Sequence, residues 1–345
     1  MEFINVKLSD IGEVVGGATP STKNPDNYDG NIAWITPKDL AGYNKVYISK
    51  GERNITEMGF KSCSTKILPK NSVLFSSRAP IGYVAISEND LCTNQGFKSI
   101  IPNNKIDYKF LYYLLKHNKN YIASKGSGST FKEVSGSVMK GIELSIPKNI
   151  HDQKKISKIL FDIDKKIELN NEINNNLYEF NNKLFEEKIL NNAEKDDWEE
   201  YLLSDISKMI NGYSYKGNEL VEKSNIGMAT IKNFERTGGF KLDGFKDIVP
   251  QKCKNDHYVK PFEILVACTD LTQNADIIGN AIMLLNNANY DEIIMSMDLV
   301  KLIPITDIVN NYMLYAIVNS KDFKNFALRY KSGTTVLHLN KNCFK

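Results

Sequence analysis

Side chains capable of metal or thiol chemistry are present in the sequence, but their spacing fits no known site. The four histidines are His117, His151, His257 and His338. The five cysteines are Cys63, Cys92, Cys253, Cys268 and Cys343. No CxxC or CxxH pair occurs, and no histidine has a partner at the spacing that metal sites use. The sequence therefore predicts neither a metal site nor a disulfide framework.

Three motifs approach enzyme chemistry without completing it. GSGST at Gly126 lacks the GK[ST] of a phosphate-binding Walker loop. NPDNY at Asn24 is similar to the NPPY motif of amino-methyltransferases, but Asp26 follows Pro25 and no glycine-rich cofactor loop lies nearby. The same Pro-Asp pair lacks the downstream ExK of a nuclease carboxylate cluster. We therefore assign no catalytic residue, and the sequence favours a binding protein over an enzyme.

Composition and charge are those of a globular protein, with 42% hydrophobic residues and a net charge of +3. No stretch approaches the ~18 apolar residues of a membrane span. The N-terminal MEFINVKLSD lacks the layout of a secretion signal, so we expect a cytoplasmic protein. Residues 1–149 carry 19 Lys and Arg against 13 Asp and Glu, a net +6. This excess is compatible with a polyanionic partner but is too small to identify one.

An internal repeat organises the chain, whose 345 residues fit two domains. Six blocks recur in one order, at an offset of about 195 to 205 residues. The pairs are LSDI at Leu8 and Leu203, WITPKDL at Trp34 and MATIKNF at Met228, LPKNSVLFSS at Leu68 and VKPFEILVAC at Val259, IGYVAI at Ile81 and IGNAIM at Ile278, DYKFLYYLL at Asp107 and VNNYMLYAI at Val309, and GSGSTFKEVSGSVMK at Gly126 and KSGTTVLHLNKNCFK at Lys331. Because the order and offset are nearly constant, we expect two domains of the same fold.

The elements of each copy follow from local patterns. Short β-branched and aromatic runs bounded by Gly, Pro and Asn predict strands in a mostly antiparallel arrangement. These runs are Asn31–Thr36, Ser72–Ser76, Gly82–Ile86 and Gly96–Ile101. The segment Asp107–His117 places Phe110, Leu111, Leu114 and Leu115 on one face of a helix, with His117 as a cation near its C-terminus. The predicted class is α+β, with Trp34 in the core.

A long helix is predicted between the copies, because about forty residues from Ile150 contain no Gly or Pro. Apolar residues at 4-3-4 spacing form two sets that are typical of a coiled-coil seam. The seam consists of Ile156, Leu160, Ile163, Ile167, Ile173, Leu177, Phe180 and Leu184. Forty helical residues make a rod on the order of 60 Å. The seam needs a second helix to cover it, unless the helix lies along its own domain.

Taken together, these features resemble the specificity subunit of type I restriction-modification systems. The blocks that carry the resemblance are LSDI followed by TPS (Thr19–Ser21), WITPKDL (Trp34–Leu40), SSRAPIG (Ser76–Gly82), NQGFKSI (Asn94–Ile100), FLYYLL, and GSTFKEV running into IELSIPKNIHDQKKISKIL. The resemblance covers essentially the whole chain and is closer in the first half than in the second.

The resemblance implies target-recognition domains over residues 1–149 and 193–345, separated by a coiled-coil spacer helix over residues 150–192. Each domain would read a short half-site on double-stranded DNA, and the spacer would set the distance between half-sites. Two modification subunits would dock on the helix to methylate adenine, and restriction subunits would join them. S-adenosylmethionine and ATP would belong to those partners, so this chain would be a non-enzymatic reader without a cofactor of its own.

The residues that we expect to contact DNA are polar or basic and lie between predicted strands. They are Ser21, Lys23, Thr36, Lys38, Arg78 and Lys98 in the first domain, and Lys216, Lys232, Arg236, Gln273 and Arg329 in the second. Arg78 is the sharpest candidate, because a guanidinium can bind guanine O6 and N7 together. The alternative for Arg78 is an ion pair with a carboxylate of its own domain. The lysines suit phosphate contacts or plain solvent exposure.

The end of the second copy differs from that of the first. Lys140 is followed by GIELSIPKNIHDQ and the long helix, whereas its counterpart Lys345 is the last residue printed. We therefore expect a second domain without the second spacer helix that the resemblance implies. The chain would be truncated or naturally shortened, or its seam would pair with a helix of another chain, including a second copy of itself.

Two other functions remain open on the sequence alone. The chain could be the recognition fragment of a single-chain methyltransferase-nuclease, in which case it would bind S-adenosylmethionine. It could also be a scaffold that holds two partners on the helix and binds no DNA.

Overall fold

Two compact units, Met1–Ile173 and Asn174–Lys345, make up the chain. The computed structural model describes residues 1–344 except 79, 129–131, 191–198, 237 and 273. The division falls inside the long helix, and the domain limits at residues 149 and 193 stay predictions. In the described part, no helix is both long and apolar enough to span a bilayer.

The part of unit 1 that the structure describes contains ten strands and the first five α-helices. In chain order these are β1 (Phe3–Lys7), α1 (Leu8–Ile11), β2 (Gly12–Gly16), β3 (Tyr28–Ile32), β4 (Trp34–Ile35), β5 (Tyr47–Ile48), α2 (Glu57–Lys61), β6 (Val73–Phe75), β7 (Val84–Ser87), β8 (Cys92–Thr93), β9 (Lys98–Pro102), α3 (Tyr108–His117), α4 (Lys119–Ser124), α5 (Gly136–Gly141) and β10 (Glu143–Pro147).

The main sheet of unit 1 has the order β2-β9-β6-β7-β5, and only the β7-β5 pair is parallel. A short parallel pair, β4 with β8, and an antiparallel pair, β1 with β10, complete the unit. The central strands are buried on both faces, as Val73, Leu74 and Phe75 are 0% exposed. Burial of each such side chain stabilises the fold by about 1.5–3 kcal/mol. Trp34 also lies in a core cluster, which confirms that prediction.

The helix α3 begins and ends as the sequence predicts. The carboxylate of Asp107 caps it by accepting a hydrogen bond from the Phe110 N–H at 2.9 Å. Phe110, Leu111 and Leu115 are buried and Leu114 is half-buried. His117 is its last residue, where a cation is favourable.

The described part of unit 2 has a similar order of elements, without counterparts of β1 and α2. The long helix α6 is Ile150–Phe185, and the π-helical turn Glu186–Leu190 follows it. The elements of unit 2 are α7 (Leu203–Ile206), β11 (Ser207–Asn211), β12 (Ile226–Ala229), β13 (Lys246–Asp247), β14 (Tyr258–Val259), β15 (Ile264–Ala267), β16 (Thr269–Asp270), β17 (Ala281–Met283), β18 (Glu292–Met295), β19 (Leu299–Pro304), α8 (Asn311–Val318), α9 (Lys321–Leu328), β20 (Lys331–Ser332) and β21 (Leu337–Leu339).

Four strands of the main sheet of unit 1 and its short parallel pair have counterparts in unit 2. The order β11-β19-β15-β17 corresponds to β2-β9-β6-β7, and the parallel pair β12-β18 corresponds to β4-β8. Gly82 and Gly279, matched in the sequence, both have positive φ and donate to equivalent carbonyls, those of Ser76 and Ala267. The two units therefore have the same fold, and the α+β class is confirmed. The helix match starts one residue later than the sequence blocks indicate, because Asn310 caps α8 as Asp107 caps α3.

The first half of α6 packs on unit 1 through polar contacts. Gln153 is buried, accepts from the Asp107 N–H at 2.9 Å and donates to the Pro147 carbonyl at 2.9 Å. Farther along, Asp164 accepts from the Tyr113 hydroxyl at 2.7 Å. Burial and this carboxylate raise the pKa of Tyr113 well above its ordinary value.

The predicted seam lies on another face of α6. Only Ile156 packs against the core of unit 1, and the other seven seam residues are 38% to 64% exposed. Within unit 2, Asn319 donates to the Tyr178 hydroxyl at 3.0 Å and to Asn182 at 3.3 Å. Apart from Ile156, the residues that hold the helix are therefore not those of the seam, and the pairing of the seam stays a prediction.

Candidate nucleic-acid interface

A tight turn, Asn94–Gly96, joins the loops that carry the predicted contacts of unit 1. The side chain of Asn94 accepts from the Gly96 N–H at 2.9 Å and closes the turn. The Thr19 hydroxyl donates to the side chain of Gln95. The Ser77 N–H donates to the Gly96 carbonyl at 2.7 Å. Three separate sequence blocks therefore meet at one place.

Glycine is required where the backbone approaches this turn. A Cβ atom on Gly17 would lie 2.1 Å from the carbonyl oxygen of Thr93. The counterpart in unit 2, Gly212, would place its Cβ 1.9 Å from the carbonyl oxygen of Ser296. Both units thus have the same close approach of the first sheet strand to the turn, which explains the glycine that follows each LSDI block.

Lys38 projects from the short 3-10 helix Pro37–Leu40 beside the turn. The Thr36 hydroxyl and N–H both donate to Asp39 at 2.7 Å, so Thr36 fixes the start of this helix. Lys38 lies 2.6 Å from Glu52, and its side chain is 78% exposed. An exposed ion pair of this kind exchanges readily with a phosphate, because water screens it.

Arg78 and Lys98 are brought together by Glu133, which lies in the glycine-rich passage. Arg78 Nε donates to Glu133 Oε2 at 2.8 Å, and Lys98 Nζ lies 3.5 Å from Oε1. Burial raises the pKa of Glu133, but the hydrogen bond and charge of Arg78, aided by Lys98, outweigh it and lower this pKa below its ordinary value. Arg78, Lys98 and Glu133 together carry one net positive charge, and it lies at half-exposed Arg78.

Unit 2 builds the same frame of hydrogen bonds. The Cys268 N–H donates to the Asp298 carbonyl at 2.7 Å, as Ser77 donates to Gly96. The Thr230 N–H donates to Asn233 at 2.9 Å, as Thr36 donates to Asp39. Lys232 therefore occupies the place of Lys38.

The side chains that project from this shared frame differ between units. Register and hydrogen bonds pair Gln95 with Met297, Arg78 with Thr269, Glu133 with His338 and Lys98 with Val300. Met297 is 52% exposed where unit 1 presents the amide of Gln95. The two surfaces are alike in backbone and unlike in donors and acceptors.

Lys232 and Arg236 line one open cavity of about 370 Å³ in unit 2, together with Lys241. The buried carboxylate of Asp270 forms one wall and accepts from the N–H groups of Thr272 at 2.8 Å and Ile277 at 2.6 Å. The cavity, which we call the basic cavity, therefore sets three basic side chains against two carboxylates, those of Asp270 and Asp243.

The remaining predicted contacts are exposed but lie outside these clusters. Ser21 and Lys23 are in the loop before Pro25–Asn27, Lys216 precedes Gly217–Glu219, and Arg329 follows α9. No described contact joins Lys216 or Arg329 to the basic cavity. Gln273 lies outside the described residues. The DNA contacts stay predictions for all eleven residues.

Two residues of this surface were not among the candidates. Gln95 had a signal, because an Asn-Gln-Gly turn between strands presents its middle side chain outward, and an amide can read adenine. Glu133 had none, since nothing in the sequence indicates that it reaches Arg78 across 55 positions. Among the residues with described structure, no three His, Cys, Asp or Glu side chains are placed to hold a metal ion.

Comparison with known proteins gives the family. The model for the type I restriction modification DNA specificity domain matches residues 2–179. The chain therefore belongs to this family, which confirms the resemblance found in the sequence.

Relatives of this chain include named specificity subunits. It is 42% identical to the type I restriction enzyme MjaIX specificity subunit of Methanocaldococcus jannaschii over 246 residues, 66% of this chain and 57% of that one. It is 30% identical to the EcoR124I/EcoR124II specificity subunit of Escherichia coli over 164 residues, 46% of this chain and 40% of that one. The chain thus spans about half the length of these relatives.

A crystal structure of the type I restriction-modification S subunit from M. genitalium is similar in fold. The TM-score is 0.58 at 16% identity, over 95% of this chain and 80% of that one. The likeness supports the two-unit α+β fold and says nothing by itself about DNA sequence.

Proposed function

We propose that this chain is the DNA-recognition subunit of a type I restriction-modification complex and performs no catalysis itself. Each unit would read one half of a bipartite site. The observation that carries this proposal is the repeated frame around the Asn94–Gly96 turn and its counterpart, from which different side chains project.

In this proposal the backbone frame positions each unit on DNA, and the projecting side chains distinguish the bases. A shared frame docks two domains on DNA in the same way, through contacts that are independent of sequence. Base edges in the major groove are then distinguished by the donors and acceptors that project. Gln95 against Met297, and Arg78 against Thr269, would give two different half-sites.

The proposed partners follow from the family and from the surface of α6. Modification subunits would methylate adenine and restriction subunits would cleave DNA, with S-adenosylmethionine and ATP bound by them. The exposed seam of α6 would pair with a helix of a partner or of a second copy. The complex would act in the cytoplasm, where the DNA is.

A gel-shift titration with random duplex DNA tests the proposal. We expect the purified chain to bind, with log affinity falling linearly as log salt rises, because each phosphate bound by a lysine or arginine releases counterions. The variant Lys38→Gln/Lys232→Gln should reduce the slope by about two, roughly one for each lysine that no longer neutralises a phosphate. Lys158→Gln, on an exposed position of α6, is the matched control and should leave the slope unchanged.

Two results would contradict the proposal. A chain that binds no DNA at low salt would be a scaffold. A chain that binds S-adenosylmethionine alone would be part of a methyltransferase.

A further inference from the structure

Arg78 bonds to Glu133 through only one edge of its guanidinium. The bond runs from Nε to Oε2 at 2.8 Å, and no described residue accepts from either Nη atom. Arg78 is 50% exposed. The two Nη atoms are therefore free to donate together, which is the geometry that guanine O6 and N7 accept in the major groove.

The backbone holds both partners in place. Arg78 and Glu133 face each other in an antiparallel bridge, and Glu133 forms a second bridge with Ser127. The Val134 N–H donates to the Ser77 carbonyl at 2.9 Å. Because both backbone segments are fixed, the carboxylate restricts the rotamers of the Arg78 side chain.

The Lys98 side chain lies in a slot beside two glycines and contacts Oε1, the second carboxylate oxygen of Glu133. A Cβ on Gly16 would lie 3.8 Å from the Lys98 side chain, and one on Gly136 would lie 3.9 Å from it. Lys98 is only 15% exposed, so its charge is directed at Glu133 rather than at solvent. With Oε1 occupied, the carboxylate meets Arg78 through Oε2 alone.

Unit 2 has none of these three residues at the equivalent positions. Thr269, His338 and Val300 replace Arg78, Glu133 and Lys98. The counterparts of the two glycines are Asn211 and Lys341, which fill the slot and bond to each other at 2.6 Å. The cluster is therefore a feature of unit 1 built on the shared frame.

We propose that Glu133 is a positioning residue that aims the Nη edge of Arg78 at a guanine in the half-site of unit 1, and that unit 2 reads no guanine from the equivalent position. This inference rests on the proposed function. A carboxylate that merely blocked Arg78 until DNA displaced it would bind the Nη fork. The Arg53–Asp29 pair shows a carboxylate that does occupy an Nη atom, since Nε and Nη2 of Arg53 both donate to Asp29 and the guanidinium stacks on Tyr28.

The test measures base preference with the full chain. A duplex selected by the wild-type chain from a random library is varied one base pair at a time, and each variant duplex competes for binding. Glu133→Gln should lose about tenfold of its preference for one G·C pair, corresponding to about 1.4 kcal/mol. Its affinity for scrambled duplex should stay equal or rise, because a negative charge is removed. Arg78→Lys should lose preference at the same base pair.

The double variant tests whether Glu133 affects base preference only through Arg78. Arg78→Lys/Glu133→Gln should lose no more preference than Arg78→Lys alone, because Glu133 acts only through Arg78. Arg53→Lys is the matched control and should leave the preference at every base pair unchanged.

Three outcomes would overturn the inference. Glu133→Gln could leave every preference unchanged, or raise affinity for selected and scrambled duplex equally, as expected of a blocking carboxylate. The base pair at which preference falls could also differ between Glu133→Gln and Arg78→Lys. A wild-type chain that selects no duplex would instead contradict the proposed function, and the two failures are distinguishable.

Discussion

The sequence presented two alternatives for Arg78, a contact with guanine and an ion pair within its own unit, and the structure is compatible with both. The ion pair with a carboxylate of its own unit is present, and the Nη edge that could bind a base is still free. Pairing and reading are compatible because a guanidinium has donors on more than one edge. The sequence could point to Arg78, because a guanidinium can bind guanine, but not to Glu133, since the approach of the two depends on a bridge between distant segments.

Asp270 is a buried carboxylate that holds the loop beside the basic cavity of unit 2. Burial raises the pKa of Asp270, but hydrogen bonds from Ile277, Thr272 and Ile278 outweigh it and lower this pKa below its ordinary value. A lowered pKa in the folded state stabilises the fold above the unfolded value of about 3.9. The stabilisation is lost as pH falls through the folded value.

We expect Asp270→Asn to lower the free energy of unfolding by about 1–3 kcal/mol at pH 7. The difference from wild type should shrink as pH falls below about 4, because the carboxylate of the unfolded chain becomes protonated first and that of the folded chain only at lower pH. Denaturant unfolding of the full chain across this pH range measures the free energy of unfolding and its dependence on pH. Asp256→Asn, at an exposed position of unit 2, is the control. A difference that persists unchanged down to a pH of about 3 would contradict this account of Asp270.

The helix α6 shows what an apolar pattern can and cannot predict. The absence of Gly and Pro predicted a helix from residue 150, and α6 begins there and continues to Phe185. The 4-3-4 spacing predicted one contact face, yet most contacts of α6 with unit 1 lie on another, where Gln153 and Asp164 form hydrogen bonds and Phe161 is buried. Hydrogen-bonding partners of this kind depend on the surface the helix meets, and periodicity does not encode them.

The exposed seam predicts association through α6. The variant Ile163→Asp/Leu177→Asp should keep the unfolding free energy of the chain, because both side chains are at least half exposed. It should lose self-association or the ability to join partner subunits, since two charges would be buried in a helix pair. Light scattering of the chain alone and mixed with modification subunits gives the mass. Asn175→Asp, about 200° around the helix from Leu177, is the control.

A chain that remains monomeric alone and assembles normally with both substitutions would show that the seam is not a contact surface.

The strands of the first unit were largely predictable. The run Ser72–Ser76 encloses β6, and Gly96–Ile101 covers β9 except for Pro102, because buried β-branched strands end at polar turns. The parallel pairing of β4 with β8 was not predictable, since these two-residue strands are joined by hydrogen bonds between distant segments.

For the molecule as a whole, the repeat in the sequence was the most informative signal. It predicted two units of one fold, and backbone hydrogen bonds at the turn recur in both units, as the Ser77–Gly96 and Cys268–Asp298 bonds show. It could not predict which side chains project from the frame into one cluster. Those side chains are where the two units differ, and a bipartite reader requires such a difference.

The central claim is that the two units read different half-sites. Mapping N6-methyladenine in the genome of a host that expresses this chain with its modification subunits tests it most directly. The account predicts methylation within one split sequence, made of two different short blocks separated by a fixed number of unspecified bases. A single continuous motif, two identical blocks, or a pattern that does not change when this chain is deleted would contradict it.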